Sequence, residues 1–168
     1  MEVLNYRDAT LEDLSVITSI YNSTIPSRMV TADTEMVSVE SRKPWFYAHI
    51  PGKRPLWIVE GQENQVIGWV SLQSFYGRPA YDRTAEISIY LAEECRHKGY
   101  GKEILRYVIA NVPNFGINTL LGVIFAHNEP SLKLFINCGF EEWAYLPCIA
   151  ILDNQERSVK ILGLRISK

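Results

Sequence analysis

Long apolar runs are missing from this chain, and none could span a bilayer. The opening residues, Met1-Glu2-Val3-Leu4-Asn5-Tyr6-Arg7, lack the zones of a secretory signal. Cysteine is scarce: Cys95, Cys138 and Cys148 are odd in number and show no metal-ligand spacing. They read as reduced thiols, so a cytoplasmic location is expected. His49, His97 and His127 form no cluster, and no metal is expected. An excess of charge is missing too. Seventeen basic and 19 acidic residues leave a net charge of −2, which argues against a general nucleic-acid footprint. Neither GxxxxGK[ST] nor GxGxxG occurs. No linker, repeat or low-complexity tract divides the 168 residues, so one domain over 1–168 is expected.

What is present is a basic, glycine-containing turn, Arg96-His97-Lys98-Gly99-Tyr100-Gly101-Lys102. It sits between the strand-like Ile87-Ser88-Ile89-Tyr90-Leu91 and a helix-like run from near Lys102. Glycines let the backbone turn tightly and approach a ligand closely. The N–H groups at a helix start, with the helix dipole, favour an anion. Arg96, His97, Lys98 and Lys102 add positive potential. The pattern reads as a pyrophosphate-binding turn, although Gly-x-Gly alone also suits a plain strand-to-helix connection.

The rest of the chain alternates strand and helix patterns. Val3 to Arg7 reads as a strand, and Thr10-Leu11-Glu12-Asp13 as a capping box before Leu14, Ile17 and Ile20 at helical spacing. A weaker helix is expected from about Val37 to His49, interrupted near Pro44. Pro55–Glu60 and Val66–Leu72 form a hairpin, and Thr84–Leu91 a further strand. Ile104, Leu105, Val108, Ile109 and Val112 make the stripe of a helix, and Thr119–Ala126 a buried strand. Asn128 or Ser131 caps a short helix that Gly139 ends, and strands at about Glu141–Leu146 and Val159–Ile166 close the chain. One mixed sheet flanked by helices is expected.

This order resembles the GNAT superfamily of acyl-CoA-dependent N-acyltransferases. Arg96-His97-Lys98-Gly99-Tyr100-Gly101 matches its [RQ]-x-x-G-x-[GA] motif, and Asn128 with Gly139-Phe140 matches its second signature. Arg7-Asp8-Ala9-Thr10, Ile20-Tyr21-Asn22, Asp33-Thr34-Glu35, Gly68-Trp69-Val70-Ser71-Leu72, Ala80-Tyr81-Asp82-Arg83-Thr84 and Glu86 are similar to the phosphinothricin and methionine-sulfone acetyltransferase branch. The resemblance implies an α/β (α+β) GNAT fold. Its mixed, mostly antiparallel sheet would have about seven strands, flanked by about four helices. It also implies acetyl-CoA as cosubstrate, a small-molecule amine as partner and a homodimer.

Glu86 is the candidate catalytic residue. Alternation puts Glu86, Ser88 and Tyr90 on one face of their strand, opposite Ala85, Ile87, Ile89 and Leu91. That face is either simply solvated or functional. A substrate ammonium must lose a proton before its nitrogen attacks a thioester, and a nearby carboxylate can accept it. The branch resemblance places its proposed general base on Glu86. For the cofactor, the backbone from about His97 to Lys102 would bind the diphosphate, with Arg96 and Lys98 adding charge. By resemblance, the strand before the turn splays from its neighbour. The pantetheine arm then meets Ile89, Tyr90 and Leu91, flanked by Asn128 and Ser131. An N–H there, such as that of Leu91, could hold the thioester carbonyl.

Acceptor candidates are Phe75, Tyr76 and Tyr81 as pocket aromatics, and Arg78 and Arg83 as partners of an acceptor carboxylate. Solvent exposure is the bland alternative for both arginines, and core packing for Trp45, Phe46 and Trp69. Three departures from the branch stand out. Phe135 replaces a residue able to donate a proton. Phe75 is followed by Tyr76 where the branch carries arginine, and residues 147–157 replace the branch's closing motif. The expected activity is acetyl transfer to the amine of a phosphinothricin, methionine sulfone or sulfoximine type of acceptor. A polyamine, aminoglycoside or protein N-terminus, or a non-catalytic CoA sensor, are the other readings.

Overall fold

Period-two alternation and helical stripes build seven strands and four α-helices in the computed structural model, which describes residues 3–166. In chain order these are β1 (Asn5–Asp8), α1 (Leu14–Asn22), α2 (Val39–Tyr47), β2 (Leu56–Glu60), β3 (Val66–Ser74) and β4 (Thr84–Leu91). They continue with α3 (Tyr100–Asn111), β5 (Thr119–Phe125), α4 (Glu129–Asn137), β6 (Glu141–Leu152) and β7 (Gln155–Arg165). All strands join one sheet in the order β1-β2-β3-β4-β5-β7-β6. Only the β4–β5 pair is parallel.

Helices cover both faces of the sheet because the central strands are apolar on both sides. On one face Trp69 of β3 donates its indole N–H to the Ile17 carbonyl of α1 (3.1 Å) and meets Trp45 of α2 edge-on (5.4 Å). On the other, Trp57 of β2 packs against Tyr107 of α3 (5.7 Å) and Phe115 just beyond it (5.4 Å). Farther along that face, α4 lays Phe135 against Gly122 of β5. A Cβ at residue 122 would lie 2.6 Å from the Phe135 ring. Phe135 is buried and also touches Phe140 (4.8 Å), so it cannot give way freely. Gly122→Ala should therefore destabilise by about 1–3 kcal/mol through overpacking. Urea unfolding checks this, and an unchanged midpoint would contradict it.

Three local expectations change. The helix α2 runs unbroken through Pro44, which removes only the hydrogen bond its N–H would have sent to Glu40; Ser38 caps the start by accepting from Ser41 N–H (3.1 Å). The helix α3 begins at Tyr100, with Gly99 as its left-handed N-cap. The last two strands are longer than their patterning suggests. A bulge between Leu146 and Ala150, with Cys148 at φ 51°, absorbs Pro147, and the Asp153-Asn154 turn, with both residues at positive φ, closes the hairpin.

Candidate active site

Glu86, Ser88 and Tyr90 of β4 do not form a simple solvated face. With Trp69, Ser71 and Gln73 of β3, Tyr21 of α1, and Arg42 and Trp45 of α2, they line a pocket of about 220 Å³. Register explains the grouping: Glu86 lies opposite Gln73, Ser88 opposite Ser71 and Tyr90 opposite Trp69. Tyr90 stacks on Trp69 (4.4 Å, 15° between planes), and burial holds its phenol above the ordinary range. Glu86 makes no ion pair or hydrogen bond with its side chain among the described residues. Burial alone raises its carboxyl above the ordinary 4.5.

Beyond Glu86 the sheet opens. The parallel pairing consists of Thr84–Thr119, Ala85–Leu120 and Glu86–Leu121, and ends there although both strands continue. The β4 edge from Ile87 to Leu91 thus faces β5 without a ladder. Arg96 takes one group on it, donating from Nε to the Leu91 carbonyl (3.2 Å). That guanidinium also donates to Ser23 Oγ (2.6 Å), so Arg96 ties the turn to the end of α1.

The turn centres on Gly99, and Gly101, expected beside it as a second close-approach position, lies inside α3. His97 and Gly99 adopt positive φ (61° and 90°), and a Cβ built on Gly99 would have no atom within 4 Å. The first amides of a helix have no intrahelical acceptor. Lys102 is the point where the ladder starts, its N–H bonding to the Gly99 carbonyl (3.1 Å), so that amide is already used. His97, Lys98 and Lys102 are exposed, while Tyr100 is half-buried. Gly101 faces α4, where a Cβ would lie 3.1 Å from the tip of Leu134. Asn128 is buried and fully engaged. Its Oδ1 accepts from Ser131 N–H (3.2 Å), and its Nδ2 donates to the Met29 carbonyl (2.9 Å).

The β3–β4 loop gathers its residues in a different place. Phe75, Tyr76 and Tyr81 form one ring cluster, with centroids 4.5, 5.4 and 6.3 Å apart. Phe75, Arg78 and Tyr81 line a second pocket of about 360 Å³ with Lys53, Ser74 and Asp82. Tyr76 is 78% exposed, and Arg83 is exposed. Glu86 is thus grouped with Arg42, which the sequence did not single out, rather than with Arg78 or Arg83. The α2 pattern gives Arg42 no distinction from a surface charge. Only the packing of α2 on β3 and α1 brings it inside.

The chain matches the Acetyltransferase (GNAT) family over residues 17–140. The Bacillus subtilis (strain 168) protein named "Putative phosphinothricin acetyltransferase YwnH" is 49% identical over 164 residues, covering 98% of this chain and 100% of that one. A crystal structure under the same provisional description, also 49% identical, superposes with a TM-score of 0.95 over 99% of this chain and 100% of its own. A phosphinothricin acetyltransferase from Sinorhizobium meliloti, in complex with acetyl-CoA, has the same fold. Its TM-score is 0.89 at 24% identity, over 98% of this chain and 89% of that one. The chain belongs to the GNAT family of acetyltransferases. It is an acetyl-CoA-dependent N-acetyltransferase with the seven-stranded, mostly antiparallel sheet of that fold.

Proposed function

We propose that this enzyme acetylates the α-amine of a compact, amino-acid-like acceptor of the phosphinothricin, methionine sulfone or methionine sulfoximine type, with Glu86 as general base. The observation that carries this reading is Glu86 itself. It is an unpaired carboxylate in a small pocket, at the point where β4 parts from β5. A pocket of about 220 Å³ around Glu86 has room for the head of a compact acceptor. The names of the relatives support the same acceptor class.

The residues present fit acetyl-CoA. The backbone of Ile89, Tyr90 and Leu91 offers pantetheine amides an edge that β5 does not pair, apart from the Leu91 carbonyl held by Arg96. The backbone at His97–Gly99 and Gly101 offers N–H groups to the diphosphate beside Lys98 and Lys102. Open space at Gly99 leaves room for close approach. Bound there, acetyl-CoA supplies an activated acyl group whose thiol, with a pKa of about 8.5, leaves without a proton donor. That accords with Phe135, whose buried ring has none to give. The remaining work is the protein's own. Glu86 accepts the ammonium proton, directly or through one water, and a β4 amide near Leu91 steadies the thioester carbonyl. Asn128 and Ser131 brace the start of α4, while Phe75 and Tyr81 line the separate pocket under the β3–β4 loop.

A homodimer in the cytoplasm is part of the proposal. The branch resemblance supports the dimer, as do Trp143, Tyr145, Ile149 and Ile151 exposed on the outer strand β6. The free thiols of Cys138 and Cys148 support the location. The test of function is thiol release from acetyl-CoA over a panel of amines. Methionine sulfone, methionine sulfoximine or phosphinothricin should stimulate release at millimolar concentration. Release with a polyamine or peptide, and with none of these three, would overturn the acceptor class.

A further inference from the structure

Arg42 is a half-buried cation that the fold holds between two rings without an ion-pair partner. Its guanidinium carbon lies 3.9 Å from the centre of the Trp45 ring and 4.5 Å from that of Tyr21. Its Nε is buried and has no hydrogen-bond acceptor. Among the described residues no carboxylate stands within ion-pair distance of it. Asp33, an acid that could approach, is exposed and already accepts the Tyr21 hydroxyl proton. Burial pushes the guanidinium below its ordinary pKa, against the opposing pull of the Tyr21 and Tyr90 hydroxyls and of Asp33. Leaving that Nε–H buried without an acceptor is costly, which suits a ligand oxygen arriving beside it.

We propose that Arg42 binds the carboxylate of the acceptor, opposite Glu86, and so makes this enzyme select zwitterions. The inference rests on the amino-acid-like acceptor proposed above and names the residue that reads it. The two rings restrict the guanidinium before any ligand binds, which lowers the ordering cost of a planar, two-point contact with a carboxylate. Among the described residues Arg42 is the only cation lining the Glu86 pocket, whereas Arg78 lines the other one. A zwitterion matches a pocket that holds one carboxylate and one guanidinium. A polyamine would bring a second positive charge against Arg42, so the same residue excludes it.

Steady-state kinetics with methionine sulfone and with its carboxamide test this, using wild type, Arg42→Gln, Arg42→Lys and, for comparison, Arg78→Ala. Arg42→Gln should raise KM for methionine sulfone about ten- to a hundredfold, the loss expected of one charged hydrogen-bonded contact. It should leave KM for acetyl-CoA unchanged. The carboxamide should already be a poor acceptor for wild type, and Arg42→Gln should worsen it by no more than about threefold. Arg42→Lys keeps the charge without the planar fork and should fall between. If Arg42→Gln does not fold, the wild-type preference for carboxylate over carboxamide and the Arg42→Lys loss still decide. Equal losses on both acceptors, no wild-type preference, or a specific loss in Arg78→Ala alone would overturn the assignment. Thiol release with no amino-acid acceptor at all would defeat the acceptor reading first, and this inference with it.

Discussion

Glu86→Gln is expected to lower kcat roughly 10²–10⁴-fold at pH 7, the usual contribution of a positioned base, with acetyl-CoA affinity unchanged. It is also expected to raise thermal stability at neutral pH. The sign follows from burial. The folded carboxyl holds its proton to higher pH than the unfolded one, which titrates near the ordinary 4.5. Below 4.5 both states are protonated and the buried site costs no ionisation. As pH rises through the raised folded value, the carboxyl must ionise in place and stability is lost. Glutamine has no proton to lose. The Tm advantage of the variant should therefore grow between pH 4 and pH 8, measured by calorimetry. A variant with wild-type turnover near pH 7 refutes the base, and a gap that shrinks with rising pH refutes the burial argument.

The second large effect is expected at the turn. Gly99→Val places a branched side chain at φ 90°, in space that no protein atom occupies within 4 Å. The left-handed backbone costs a non-glycine residue about 1–2 kcal/mol of stability. If the space admits the diphosphate, each amide–phosphate hydrogen bond displaced costs a further 1.5–3 kcal/mol of binding, about ten- to a hundredfold in Kd. Gly116→Val is the control, because Gly116 has φ 71° and open space as well but lies beyond the other end of α3. Both variants should lose similar stability, and only Gly99→Val should lose acetyl-CoA affinity. Equal affinity in the two, by titration calorimetry of folded protein, would remove the turn from the cofactor site.

The sequence carried much of this arrangement, but not evenly. Alternation along Thr84–Leu91 was enough to put Glu86, Ser88 and Tyr90 together, because a strand's side-chain period is fixed. It could not tell whether that face met water or a pocket. The answer depends on α1 and α2 folding over it, through contacts such as Trp69 with Ile17 and Trp45. The Gly99 turn was legible because a left-handed cap before a helix has a strong residue preference. The parting of β4 from β5 has no signature in either strand and came only from the resemblance. Arg42 was missed because α2 has no clear apolar stripe and contains Pro44, so nothing marked its inner side. The extended β6–β7 hairpin was missed because Pro147 breaks the pattern and a bulge restores the pairing beyond it.

The measurement that bears most directly on the central claim is the pH dependence of kcat/KM for wild type and Glu86→Gln with one acceptor. In the wild type the rate should rise as the Glu86 carboxyl ionises, at a pH above the ordinary 4.5, and then level off while the acceptor is still an ammonium ion. The variant should lack that plateau and keep climbing into the alkaline range as free amine accumulates, regaining part of its lost rate. Two profiles of the same shape, differing only in height, would contradict the account and leave Glu86 as a structural residue of the pocket.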